Sequence, residues 1–154
     1  MANSRTHFRA YARYRRPVRR CIHREARNSI IQYSYRVKWD SEETFDVELL
    51  SWDNIFYEVG PVIMDEGSEP AIRRRLSDEL KIYIDELRDG KLDKFEIQND
   101  SFETIKAQLI ALGLMKKSEK KHAASNTSVY WSITPYGEQY LMRLRAIRKD
   151  AIEK

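Results

Sequence analysis

The chain has 154 residues, 42% of them hydrophobic, which suits one modest core with appendages and excludes a pair of ordinary enzyme domains. No window approaches eighteen consecutive apolar residues, which excludes a membrane-spanning helix, and a single cysteine, Cys21, excludes both an intrachain disulfide and a cysteine-built zinc site. The net charge of +4 conceals a segregation: residues 1–30 carry nine arginines against Glu25, residues 40–100 carry 18 acids against 7 bases, and residues 101–154 carry 10 bases against 5 acids.

Residues 1–30 read as a basic arm in which Phe8, Tyr11 and Tyr14 are scattered among the arginines. Such a segment buries little apolar surface and is expected to be disordered or loosely helical. Three readings compete for it: a nucleic-acid arm whose arginines neutralise phosphates while its tyrosines stack on bases, an Arg-rich targeting peptide, against which the few serines count, and a remnant upstream of the folded part.

From Ile31 the chain alternates, with Ile31, Tyr33, Tyr35, Val37 and Trp39 on one side and Gln32, Ser34, Arg36 and Lys38 on the other. A second run places Phe45, Val47 and Leu49 in alternation with Asp46 and Glu48, so residues 31–50 are expected to form a hairpin with its apolar face inward and one wet face. Ser51 is placed to cap a helix with Trp52, Ile55, Phe56 and Val59 on one face, kinked or ended at Gly60-Pro61. Ser68 caps a second helix, whose stripe of Ile72, Leu76, Leu80, Ile84 and Leu87 runs toward Gly90 and whose first half projects Arg73, Arg74 and Arg75.

A short apolar run, Phe95 to Ile97, precedes a third helix with two possible capping boxes, Asp100 with Glu103 or Ser101 with Thr104. Its buried face is Phe102, Ile105, Leu109 and Leu112, and Gly113 is suited to a left-handed cap. Leu114 and Met115 enter a strand, residues 116–128 form a polar loop, and Val129, Trp131 and Ile133 return. Thr134 and Pro135 then start a last helix with Tyr140, Leu141, Leu144 and Ile147 inward. Trp52, Phe56, Leu109, Leu112, Trp131 and Leu144 are the expected core.

Three helices, a strand, a basic loop, a strand and a helix give the order of a winged helix-turn-helix. The expected fold is therefore α+β: a basic arm (1–30), a hairpin (31–50), a winged-helix domain (51–149) and a tail (150–154). The run IKAQLIALGL at 105–114, with KKSEKK at 116–121 and YWSITPYGEQYL at 130–141, resembles winged-helix regulators over about the last hundred residues. Together with residues 50–76, the segments 101–121 and 131–149 also resemble the C-terminal region of a bacterial family whose N-terminal domain is related to TIR and nucleoside-deoxyribosyltransferase folds. Nothing in residues 1–50 supplies that Rossmann-like domain, so no activity attached to it is carried over, and the chain reads as the accessory module alone, from a truncated or split gene.

The resemblance to winged-helix regulators implies double-stranded DNA as the partner and a regulatory or nucleic-acid-sensing role. On the third helix the expected outward face is Glu103, Thr104, Ala107, Gln108 and Ala111, with Lys106 on the flank. Thr104 and Gln108 are the residues able to read base edges. Phosphate contacts fall to Lys106, to Lys116, Lys117, Lys120 and Lys121 in the loop, and to Arg73, Arg74 and Arg75. The competing reading makes the lysines a solvated face and pairs the arginines with Asp78 and Glu79 at helical spacing.

A second function class is an adaptor that uses the third helix or the hairpin for homodimerisation or for a protein partner, and the acidic middle segment, which repels a duplex, favours it. An enzyme is not expected. His7, His23 and His122 fall in loops or tails without metal-ligand spacing, Cys21 has no catalytic partners, and there is no glycine-rich phosphate loop. Asp65, Glu66 and Glu69 are better explained by a helix N-terminus than by a metal. No cofactor and no membrane contact are expected, and the single cysteine points to a reducing, cytoplasmic setting.

Overall fold

The alternation that starts near Ile31 becomes the central strand of a three-stranded sheet in the computed structural model, which describes residues 28–38, 42–87 and 92–146. The elements are β1 (Asn28–Val37), β2 (Thr44–Ser51), α1 (Trp52–Val59), β3 (Gly67–Ser68), α2 (Glu69–Leu87), β4 (Leu92–Ile97), α3 (Asn99–Ala111), β5 (Met115–Lys117), β6 (Tyr130–Ile133) and α4 (Pro135–Arg145). Among the described residues the fold is α+β, with four helices and two small antiparallel sheets. The arm up to residue 27, Trp39, Gly90, Ile147 and the 150–154 tail lie outside the described residues. Strand β1 already begins at Asn28, within the range assigned to the arm.

The first sheet has the order β2-β1-β4. Strand β4 was visible in the sequence only as a short apolar run, yet it pairs with β1 from Tyr33 opposite Ile97 to Val37 opposite Leu92, and Phe95 stacks on Tyr33 at 4.9 Å. The facing of β2 is the reverse of the expectation. Antiparallel partners point to the same side of a sheet, and the register sets Ile31 opposite Glu48 and Tyr33 opposite Asp46. Thr44, Asp46, Glu48 and Leu50 therefore share the inward side, while Phe45, Val47 and Leu49 are 66%, 55% and 38% exposed on the outer face.

The inward face of this sheet joins one core with all four helices. Ile31, Tyr33 and Tyr35 contribute from β1, Ile55, Phe56 and Val59 from α1, and Ile72, Leu76, Leu80 and Ile84 from α2. Phe102, Ile105 and Leu109 come from α3, and Tyr140, Leu141 and Leu144 from α4. Of the six residues expected at the centre, Trp52, Phe56, Leu109 and Leu144 are buried, whereas Leu112 and Trp131 are half-buried at its margin.

Helix starts follow the sequence in three cases, with Ser68 accepting the Ala71 amide at 3.3 Å, and depart from it in a fourth. Ser51 accepts the Asn54 amide at 3.1 Å, and Thr134 accepts that of Gly137 at 2.9 Å. At α3 neither capping box forms: the cap is Gln98, with no side-chain bond to the helix. Ser101 instead accepts the β1 amide of Gln32 at 2.8 Å, and the Gln98 amide donates to the Gln32 carbonyl at 2.9 Å. A backbone donor left over where β4 ends takes the hydroxyl that local capping would have used.

The second sheet, β3-β6-β5, gains a two-residue strand that periodicity cannot detect. Gly67 and Ser68 pair with Trp131 and Tyr130, which makes β6 the centre of that sheet.

Candidate nucleic-acid interface

Strands β5 and β6 pair through Met115 opposite Ile133 and Lys117 opposite Trp131, and residues 118–129 connect them. A polar knot ties the base of this hairpin to the chain just ahead of β3. Glu66 accepts the Ser118 hydroxyl and lies 3.1 Å from His122 Nε2. The His122 ring stacks on Tyr130 at 3.9 Å, and the Tyr130 hydroxyl accepts from Asn126 Nδ2 at 2.7 Å. The Ser118 bond holds the Glu66 carboxyl below its ordinary pKa, with partial burial opposing it and His122 and Lys120 adding to it. Four lysines, Lys116, Lys117, Lys120 and Lys121, project into solvent around this knot, and Lys116 meets the exposed Glu119 at 3.3 Å.

Helix α3 presents a different surface. Its one cation, Lys106, has a side chain only 11% exposed, with Nζ 2.7 Å from Glu69 Oε1 and 2.8 Å from Glu103 Oε1. Glu69 also accepts the Trp131 indole N–H at 3.1 Å, so one carboxylate in the first turn of α2 gathers α3 and β6. Burial pulls the Lys106 pKa down, but its bonds to Glu103 and Glu69 outweigh that, and the net direction is upward. Burial raises the Glu69 pKa in turn, and the bonds from Lys106 and Trp131 with the Lys106 and Arg73 charges bring it below the ordinary value.

Thr104 is exposed, but its hydroxyl donates to the Asp100 carbonyl at 2.8 Å, and Gln108 is half-buried. Besides Asn99, Asp100, Glu103 and Thr104, the outward residues of α3 are Ala107, Ile110 and Ala111.

The arginine cluster is divided by its surroundings. Arg73 donates to the Ile97 carbonyl at 3.1 Å and to Asn99 Oδ1 at 2.7 Å, with its guanidinium 4.5 Å from the Phe102 ring centroid. Arg75 reaches Glu58 at 2.8 Å and Glu79 at 3.0 Å, which includes one of the two helical pairings anticipated. Arg74 faces solvent. The hairpin lysines thus form one exposed group, while Lys106, Arg73 and Arg75 are engaged within the fold.

Sequence reasoning passed over Glu66, Glu69 and Trp131 as organisers of this region. The cluster Asp65, Glu66 and Glu69 was the available signal, but Glu66 turns to Ser118 and His122 of the hairpin loop and Glu69 to Lys106 on α3 and Trp131 on β6. Among the described residues no three His, Cys, Asp or Glu side chains are grouped to hold a metal ion.

No protein-family model, curated protein or solved structure matches the chain. Among the described residues, no helix is long and apolar enough to cross a membrane.

Proposed function

We propose that residues 51–149 form a winged helix-turn-helix that binds double-stranded DNA, with the β5–β6 hairpin as a wing on the phosphate backbone. The observation that carries this reading is the group of four exposed lysines on a hairpin anchored at its base by Glu66, Ser118 and His122. A tethered hairpin presents cations at a fixed height, which a free lysine-rich loop does not. The order α1, α2, α3, hairpin, α4 supports the fold, and the likeness of residues 105–141 to winged-helix regulators supports the ligand. Helix α3 adds little charge, so binding is dominated by phosphate contacts and tolerant of sequence. The role is that of a binding module, without catalysis, in a reducing compartment such as the cytoplasm.

Duplex binding measured by anisotropy across a salt series tests this. Each phosphate contact contributes about −0.9 to the slope of log K against log salt, so replacing all four lysines by alanine should flatten it by about 3 to 4. An unchanged slope, or binding that disappears when residues 1–27 are deleted, removes the wing from the account.

One observation favours the adaptor reading: Ala107, Ile110 and Ala111 give α3 an outward face better suited to close protein packing than to phosphates. Under that reading A107E with A111E abolishes self-association or partner capture and leaves DNA binding unchanged.

A further inference from the structure

Strand β4 ends the β2-β1-β4 sheet on one side, and no described strand pairs with its outer edge. The Gln98 amide donates to the Gln32 carbonyl, so the even-numbered residues Lys94, Glu96 and Gln98 turn their backbone groups toward β1. Backbone groups alternate in direction along a strand, which leaves the N–H and C=O of Phe95 pointing at the open edge. The Ile97 carbonyl points the same way and accepts from the Arg73 guanidinium at 3.1 Å. We propose that this edge pairs with the same edge of a second copy, antiparallel about Phe95, in a weak homodimer whose sheet runs through six strands.

Three observations select a second copy. The first is charge: a two-fold axis through Phe95 sets Lys94 of each copy opposite Glu96 of the other. Both side chains are exposed on the outer face of the sheet, and neither has an ion-pair partner among the described residues. Arg36, the cross-strand neighbour of Lys94, is already engaged by Asp93 at 2.6 Å. The second is geometry. With its backbone groups at the edge, Phe95 forms a hydrogen-bonded pair with its own counterpart, and the flanking Lys94 and Glu96 fall in the narrower pairs where side chains approach most closely. The half-buried Phe95 ring, stacked on Tyr33, lies on the inward side where its counterpart meets it. The third is the contrast with the other edge: Thr44–Ser51 contains no base, so no register of β2 against itself brings opposite charges together. Strand β4 is only six residues long and Arg73 holds one of its edge carbonyls, which puts the contact at the small, transient end of protein interfaces.

The test is sedimentation of the full chain over a concentration series under reducing conditions. The unaltered protein should move from monomer toward dimer as concentration rises. Lys94→Glu and Glu96→Lys each turn two attractive pairs into two repulsive ones and should weaken association about tenfold or more. Both positions are exposed, and the amide spectrum of each variant checks that the fold is kept. An equimolar mixture of the two variants should associate as the unaltered protein does, because each supplies the charges that the other lacks. Combining Lys94→Glu with Glu96→Lys in one chain should restore association in the same way. Ala107→Glu with Ala111→Glu should leave it unchanged, since the α3 face takes no part. A monomer at every concentration, association that ignores both reversals, or a mixture no better than its components overturns the proposal. Association lost on changing Ala107 and Ala111 overturns it in favour of α3.

Discussion

Lys106 Nζ lies 2.7 Å from Glu69 Oε1, so the only cation of α3 serves the junction between α2 and α3. The Trp131 indole N–H shares that carboxylate, and Glu103 closes the other side of the ammonium. Lys106→Met keeps most of the side-chain volume but leaves Glu69 without its cation, at an expected cost of about 1–3 kcal/mol in denaturant unfolding. Lys120→Ala should leave stability unchanged, because its side chain stands in solvent. If the proposed DNA binding holds, its salt slope should separate the same pair in the opposite sense, with the Lys120 change flattening it and the Lys106 change leaving it intact. A Lys106 variant of normal stability and reduced slope would return Lys106 to the DNA surface.

The Tyr140 hydroxyl donates to Asp53 Oδ1 at 2.6 Å and joins the last helix to the first. Burial pushes the Asp53 pKa up, and the phenol bond offsets only part of the rise. A carboxyl raised in the folded state favours folding when protonated; its contribution is complete below the unfolded pKa of about 3.9 and is lost as pH rises through the higher folded value. Glu69 has the opposite sign: its lowered pKa gives stability that is present above the unfolded value of about 4.3 and is lost as pH falls. Asp53→Asn should be neutral or stabilising at pH 7 and leave only the Glu69-type loss on acidification. Tyr140→Phe should cost about 1–2 kcal/mol at pH 7 and less at pH 4, read from urea midpoints at the two values.

The helices were legible because each repeats its apolar residues over several turns and carries a local stop or start signal. Phe102, Ile105 and Leu109 fall on the buried side of α3, and Gly113 takes the left-handed conformation that its position requires. What failed depends on partners distant in sequence. Alternation in β2 gives the period of the strand but not which side faces inward; that was decided by pairing Ile31 with Glu48. Lys106 looked like a surface residue because the Glu69 that holds it is 37 positions away, and Ser101 looked like a cap because the Gln32 amide that claims it is 69 away. The hairpin lysines were readable since exposure needs no partner.

Gly137 and Gly113 make a contrast that separates crowding from backbone strain. A Cβ on Gly137 would stand 2.1 Å from the Leu114 carbonyl oxygen, because the first turn of α4 lies directly on the chain leaving α3. Gly137→Ala should therefore displace α4 and cost about 3 kcal/mol or more. At Gly113 a Cβ meets nothing within 4 Å, but φ is +69°. Gly113→Ala should cost about 1–2 kcal/mol, the left-handed penalty alone, and Gly113→Asn less. Thermal unfolding of the three variants gives the order directly, and equal losses at the two glycines would show that α4 sits further from Leu114.

The facing of β2 can be tested with two alanine substitutions on paired strands. Ile31 is fully enclosed on the inward side of β1, and Val47 stands outward on β2. Ile31→Ala removes three buried methyl or methylene groups from the core and should cost about 2–5 kcal/mol. Val47→Ala removes solvent-facing groups and should change stability by no more than about 0.5 kcal/mol. A slip of β2 by one residue would turn Phe45, Val47 and Leu49 toward the core and Asp46 and Glu48 to water, the arrangement that alternation alone suggests. In that arrangement Val47→Ala would carry a core-sized loss and Asp46→Ala none. The relative cost at positions 31 and 47 thus reads the register without a structure of either variant.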